Sequence, residues 1–375
     1  MVIGICGGGN IAHSLIGLLG SNSEHKIRLL TRKPEKWDNQ IRVINREGND
    51  LIGEIDLISD DPALLIPECD LIILALPSQA RACLIKQIAP FVSKDTWIGS
   101  FPGMGNFELI CHKYLPLKEK NIRVFASQRV PCIARVSEYG KEVIMTSKKD
   151  SMAVASLKPS LVGEISNLLS PLLDMKILPL NNFLEVTLST SNPILHPARM
   201  YALFKDIKVD DVWEKNPTFY ESWNLESSEI LIKMDKEVHQ LLEEIPFNLS
   251  GIKPLLEHYD STNAAELTHK LGSIQAFKGL LSPMKQIGSG FKVDLESRYF
   301  IEDISYGLIL IKDIAQLFSI STPTIDEVIY WAQSLLNKEY LIDGVLEGKD
   351  SNELLLHQSF SISNTKEFLK FYQQS

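Results

Sequence analysis

The 375-residue sequence lacks any apolar stretch long enough to cross a membrane as a helix. Runs such as 71–76 and 308–311 fall far short of the ~18 residues a span requires. It is poor in cysteine. Cys6, Cys69, Cys83, Cys111 and Cys132 are odd in number and include no C-x-x-C, which argues against a disulfide framework or a cysteine-rich zinc site. Positive charge is in deficit: Lys plus Arg is 38 against 47 Asp plus Glu, a formal net charge of −9. Such a chain has no general attraction for nucleic acid or anionic lipid, so neither is expected as a partner. The start, Met-Val-Ile-Gly-Ile-Cys-Gly-Gly-Gly, has no basic n-region and no small-residue cleavage site, so a soluble, cytoplasmic protein is expected. His112, His239, His258 and His269 lie outside any H-E-x-x-H spacing, and no metal is expected. Ser100-Phe101-Pro102-Gly103 is not the G-x-S-x-G elbow of a serine hydrolase.

What remains is an ordinary globular composition, 45% hydrophobic and 23% charged, with ample length for two buried cores. Over the first 150 or so residues, short β-rich runs alternate with helical patterns. Val2–Cys6, Lys26–Leu30, 71–76, 96–99, 123–126 and 142–146 read as strands, several of them apolar nearly throughout, as in a parallel sheet covered on both faces. Residues 11–19 and 80–91 read as helices between them. Beyond residue 180 helical spacing dominates, in 226–244, 264–277, 301–318 and Pro323–Leu336, the last with proline in its first turn. The expected fold class is α/β: an N-terminal Rossmann-type doubly wound domain over 1–181, then an all-helical domain over 182–347. Residues 348–375, polar and Ser/Asn-rich at first, read as a surface appendage.

The first strand runs into Gly7-Gly8-Gly9-Asn10-Ile11-Ala12 and then a helix, the G-x-G-x-x-A form of the dinucleotide fingerprint. Gly7 permits the tight turn, Gly9 lets the backbone approach a pyrophosphate, and Ala12 allows close helix–strand packing. The helix N-terminus through Asn10 and Ile11 faces the phosphates. The alternative, a glycine-rich turn without a ligand, is disfavoured by the position between strand and helix. The second strand ends in Thr31-Arg32-Lys33-Pro34, with no carboxylate to accept a ribose 2′-hydroxyl. A hydroxyl and two cations suit a 2′-phosphate, so NADP(H) is favoured and NAD(H) is the other possibility; alternatively, Arg32 and Lys33 merely solvate a loop. Pro77, after the 71–76 run, is placed at the carboxyl edge of the sheet, flanking the nicotinamide half.

Two later segments carry more polar groups than packing needs: residues 187–197, with His196 between Pro193 and Pro197, and residues 294–308, with Arg298 and Asp303 five apart. On a helix an i, i+5 pair is not stacked face to face, so the segment places the two at different points around one pocket. Taken alone, His196 reads equally as a satisfied structural histidine, and Arg298–Asp303 as a structural ion pair.

At these residues the sequence resembles the opine dehydrogenase family, whose members include octopine and nopaline dehydrogenases. Asn192-Pro193-Ile194-Leu195-His196-Pro197 matches the family's Asn-Pro-x-x-His-Pro segment. Arg298 through Leu308 matches its Arg-Tyr/Phe-x-x-Glu-Asp-x-x-x-Gly-Leu segment, and residues 101–105 and 132–143 look like family features of the first domain. The resemblance implies an NAD(P)H-dependent oxidoreductase that joins an amino acid's amine to a 2-oxo acid and reduces the imine. It implies His196 as general acid/base, Asp303 as its orienting carboxylate and Arg298 as the clamp on the 2-oxo acid carboxylate. Asn192 either contacts substrate or nicotinamide or caps the His196 helix. Phe219, Tyr220 and Trp223, with Trp213 upstream, lie in a region near the family's amino-acid site, but core aromatics are the favoured reading. Two other functions fit the same plan. One is a ketopantoate or β-hydroxyacid-type reductase, although Lys270, Lys278 and Lys285 sit in no motif of that kind. The other is a non-catalytic nucleotide sensor. The expected oligomeric state is a monomer or homodimer.

Overall fold

The computed structural model describes residues 1–374 apart from Ser23, Ser191 and Val209. The chain divides into two compact units, Met1–Thr187 with the last residues from Tyr372, and Leu188–Phe371. Residues 182–187, expected at the start of the helical domain, thus fall in the first unit.

The first unit is built on an eight-stranded sheet. Its strand order is Lys176–Pro179, Ser151–Ser156, Arg123–Ser127, Trp97–Ser100, Leu71–Leu74, Val2–Cys6 (β1), Lys26–Leu30 (β2) and Leu57–Ser59. All neighbours pair in parallel except Ser151–Ser156 with Arg123–Ser127. The central strands Leu71–Leu74 and Trp97–Ser100 are buried at every position, so both faces of the sheet are covered. Each of those aliphatic side chains contributes roughly 1.5–3 kcal/mol by leaving water.

The run at 142–146 lies elsewhere. It belongs to Glu142–Lys148 in a second sheet, ordered Leu51–Glu54, Gln40–Asn45, Glu142–Lys148, Cys132–Glu138. Its burial alternates: Val143 and Met145 point inward with Val43, Cys132 and Ala134, while Glu142 and Ile144 are only half-buried. This one-sided sheet packs on the first helix, Asn10–Gly20 (α1), which is therefore covered on two sides and buried along most of its length.

The second unit is helical, with one addition that the sequence reading does not contain, the hairpin Met284–Ile287/Gly290–Val293. Helix Asn192–Phe204 packs against helix Leu225–Glu244 and against the segment Tyr299–Leu308. The latter is a π-helix that passes into α-helix Ile309–Leu317; the sequence reads the two as one uninterrupted α-helix. Asn224 caps Leu225–Glu244 by accepting the Ser227 N–H at 3.0 Å. Most of the expected appendage is packed into this unit. The backbone N–H of His357 and its Nδ1 both meet Asp313 Oδ2, at 2.8 and 2.7 Å, and Phe368 is fully buried. Among the described residues, no helix is long and apolar enough to cross a membrane, and no cluster of His, Cys, Asp or Glu could hold a metal ion.

Candidate active site

In the first unit, the glycine turn is built as its sequence requires. Gly7 has φ +144°, and a Cβ there would meet Ala75 O at 2.4 Å. Its N–H donates to Leu30 O at 3.0 Å, tying the turn to the end of β2. Gly9 caps α1 in extended conformation without a side-chain acceptor, so the helix's first N–H groups have no cap of that kind. A Cβ on Gly9 would meet nothing within 4 Å, which leaves the turn open on that side. A helix N-terminus open to approach, behind a β-strand, fits a pyrophosphate. Ala12 is fully buried, and Ile11 packs into the core. The Oδ1 of Asn10 accepts the Val136 N–H at 2.9 Å.

At the end of β2, Thr31 is buried while Arg32 and Lys33 are exposed, and neither cation is ion-paired among the described residues. Exposed cations that are not ion-paired can take an anionic group. Pro77 precedes helix Ser78–Ile88 as its extended N-cap. A feature that the motif does not announce lies beside the turn. His13 is fully buried, with its ring 4.1 Å from Trp37 and 5.5 Å from Tyr139. Its Nε2 accepts the Gly140 N–H at 2.8 Å, and its Nδ1 donates to Gly9 O at 2.9 Å. Burial pushes its pKa down, partly offset by the bond to Gly9.

In the second unit, helix Asn192–Phe204 carries His196 and segment Tyr299–Leu308 carries Asp303. Packing of these two elements brings His196 Nδ1 to 2.8 Å from Asp303 Oδ2. Both side chains are close to fully buried, at 11% and 8% exposure. Burial pushes the Asp303 carboxyl up, and the adjacent His196 pulls it back. The other ring nitrogen, Nε2, lies 2.9 Å from the Tyr220 hydroxyl. A carboxylate can only accept, so with Asp303 ionised Nδ1 carries the proton and Nε2 accepts from the phenol. The imidazole is walled by Tyr299, with ring centroids 4.6 Å apart, and by Phe219 at 5.5 Å. Asp303 fixes the tautomer of His196, and the pair can take up and return a proton.

Arg298 is engaged by Glu302, and its charge acts on Asp303, favouring the ionised carboxylate. Its Nε donates to Glu302 Oε2 at 2.6 Å, one turn further on, and its side chain is 62% exposed while that of Glu302 is buried. The buried Glu302 carboxylate needs this cation. A second guanidinium nitrogen, NH2, also lies on Glu302 Oε2, at 2.5 Å. Asn192 is exposed in the first turn of the His196 helix, next to Ser191, which lies outside the described residues.

Sequence reasoning missed Tyr220 as a partner of His196 because its aromatic run also reads as core, and its neighbours do pack as core. It missed Arg199, three residues after His196. That guanidinium is buried and holds the carbonyls of Phe219 and Ser222 at 3.0 and 2.8 Å. The spacing His196-x-x-Arg199 on one helix was the available signal.

The family model described as NAD/NADP octopine/nopaline dehydrogenase, alpha-helical domain, matches residues 179–336. The opine dehydrogenase of Haliotis discus hannai is 30% identical, over 96% of this chain and 96% of its own length. The chain belongs to the opine dehydrogenase family. The octopine dehydrogenase of Pecten maximus is 29% identical over 92% of this chain and 93% of its own. A solved octopine dehydrogenase, in complex with NADH and L-arginine, has the same fold, with TM-score 0.85 at 26% identity over 98% of each chain. As a family member the chain is an NAD(P)-dependent oxidoreductase acting on CH–NH donors.

Proposed function

We propose that this opine dehydrogenase joins the amine of an amino acid to the carbonyl of a small 2-oxo acid such as pyruvate and reduces the resulting imine. His196 is its acid/base group, and the single observation that carries this reading is the buried His196–Asp303 pair. When bound, NAD(P)H supplies the hydride that goes to the imine carbon. Every other step is proton handling and positioning by the chain. His196 takes a proton as the amine is freed to attack and returns one to the oxygen that leaves as water. Asp303 holds the imidazole in the tautomer that can do this and stabilises the imidazolium. Proton transfer of this kind contributes roughly 10²–10⁴-fold, and correct placement of two substrates contributes more.

Arg298 binds the 2-oxo acid carboxylate with the donors that Glu302 leaves free, and Asn192, exposed at the start of the same helix as His196, contacts substrate. In the first unit, Gly7, Gly9, Asn10, Ile11 and Ala12 shape the turn and helix start that receive the pyrophosphate. Pro77 flanks the nicotinamide half. Thr31, Arg32 and Lys33 take the adenosine 2′-phosphate, which makes NADP(H) the preferred form; the support is two exposed, unpaired cations where an NAD-specific site would carry a carboxylate. The test is to follow NADPH oxidation with pyruvate, with a panel of amino acids, and with both. Oxidation that needs both supports the reading. Oxidation with the oxo acid alone would instead indicate a 2-oxo acid reductase.

A further inference from the structure

Both nitrogens of the His196 ring are engaged, Nδ1 by Asp303 at 2.8 Å and Nε2 by the Tyr220 hydroxyl at 2.9 Å. The ring therefore has no free edge, and it meets a substrate either by losing the phenol or through it. We infer that it works through it: Tyr220 is a catalytic residue, the group that exchanges protons with the substrate, and Asp303–His196 charge and discharge it from behind.

The phenol is held in place by construction. Its ring lies between Trp223, stacked at 6.1 Å and 13°, and Phe277, stacked at 4.2 Å and 21°. The backbone on either side is clamped by Arg199, whose Nε donates to Phe219 O at 3.0 Å and whose NH2 group donates to Ser222 O at 2.8 Å. Arg199 has no carboxylate partner among the described residues. Its buried charge rests on carbonyls, hydroxyls and the face of Trp223, 5.8 Å away. Burying a cation without a counter-ion is costly. Here the cost is offset by an arrangement whose evident result is the position of residues 219–222. Arg199 and His196 are three apart on one helix, so a single rigid element sets both the imidazole and the loop that brings the hydroxyl to it. Arg199 is a positioning residue in this scheme.

The step balances. In the arrangement observed, with Nδ1–H on Asp303 and Tyr220 O–H donating to Nε2, the phenolic oxygen accepts a proton from the substrate ammonium as its own proton passes to Nε2. This leaves a neutral phenol, an imidazolium and a free amine. The amine attacks the carbonyl carbon. The reverse transfer, Nε2–H to Tyr220 and Tyr220 O–H to the former carbonyl oxygen, gives the carbinolamine hydroxyl. A second round of the same relay takes one proton from the newly bonded ammonium nitrogen and gives it to that hydroxyl, which leaves as water. Over the condensation two protons pass from nitrogen to oxygen and depart as water, giving an iminium. The hydride from NAD(P)H converts it to a secondary amine, which takes one further proton from solvent. His196 and Tyr220 end as they began.

This inference rests on His196 being the acid/base group, so Tyr220→Phe is measured beside His196→Ala in the full-length enzyme. Tyr220→Phe keeps the ring and its stacking. It is expected to lower kcat by roughly 10²-fold or more, with the KM for NADPH unchanged and the fold retained by circular dichroism. In a second variant, 3,5-difluorotyrosine at position 220, whose phenol is more acidic, is expected to move a limb of the kcat–pH profile to lower pH. A hydroxyl that only packs would leave the profile in place. If His196→Ala is inactive while Tyr220→Phe turns over within twofold of the parent and the fluorinated profile is unmoved, the relay is wrong and the His196 reading stands. If His196→Ala also turns over normally, both are wrong.

Discussion

The imidazole of His13 accepts the backbone N–H of Gly140 at 2.8 Å while donating to Gly9 O at 2.9 Å, so one buried ring joins the glycine turn to the tip of the second sheet's hairpin. A backbone N–H cannot accept, so this bond exists only while Nε2 is unprotonated. The folded-state pKa of His13 is lowered, first by burial. Its contribution to stability is therefore complete above the unfolded value of about 6.5 and is lost as pH falls below it towards the folded pKa. His13→Gln is expected to flatten the fall in melting temperature below that pH relative to the parent. Parallel curves for the two proteins would refute this.

Gly7 and Gly9 separate structural from functional need within one turn. Gly7→Ala places a methyl 2.4 Å from Ala75 O at φ +144° and is expected to cost at least roughly 1–3 kcal/mol of stability. Gly9→Ala meets nothing within 4 Å and is expected to cost under ~1 kcal/mol, the difference between Gly and Ala at an N-cap. Its nucleotide affinity is expected to fall at least tenfold, because on the proposed reading the methyl would stand in the path of the pyrophosphate. Fluorescence titration and thermal melts on the two variants check this. Unchanged affinity in Gly9→Ala would remove the turn from the cofactor site.

Asp303→Asn removes the group that holds the proton on Nδ1 of His196. The expected result is a kcat lowered by about 10²–10⁴-fold with the dissociation constant for NADPH unchanged. Normal turnover would reduce the pair to a structural one.

Arg298 has two expected roles that a double variant can part. Arg298→Met leaves the Glu302 carboxylate buried without its cation, at a cost of roughly 3–5 kcal/mol, and raises the KM for the 2-oxo acid. Adding Glu302→Gln is expected to restore much of the melting temperature without restoring KM. Recovery of both would show that Arg298 serves only Glu302.

Arg32→Ala is expected to weaken NADPH binding about 10–100-fold while changing NADH binding little, in line with roughly 1.5–3 kcal/mol for a charge-assisted contact. Equal losses for both cofactors would refute a 2′-phosphate role.

The sequence makes some of this legible and hides the rest for physical reasons. Runs buried on both faces, such as Leu71–Leu74, announce themselves as parallel strands. Helix Pro323–Leu336 is readable to the residue from its proline start and its periodicity. The strand Glu142–Lys148 reads as part of the same rhythm, although its alternating burial puts it in a separate one-sided sheet. The π-helix Tyr299–Leu308 is invisible to apolar periodicity, because its side chains have the same apolar character as the α-helix it enters. The glycine turn and His196 stand out by motif. Tyr220, Arg199 and His13 do not, since a buried Tyr, Arg or His reveals its partners only once the chain is folded around it.

The central claim, reductive joining of an amine to a 2-oxo acid, is tested most directly by isotopes. Incubate the enzyme with a ¹⁵N-labelled amino acid, pyruvate and nicotinamide cofactor deuterated at the transferable position, and analyse the product by mass spectrometry. The expected product is a secondary amine that retains the ¹⁵N and carries one deuterium at the former carbonyl carbon. A deuterated 2-hydroxy acid without nitrogen would contradict the claim.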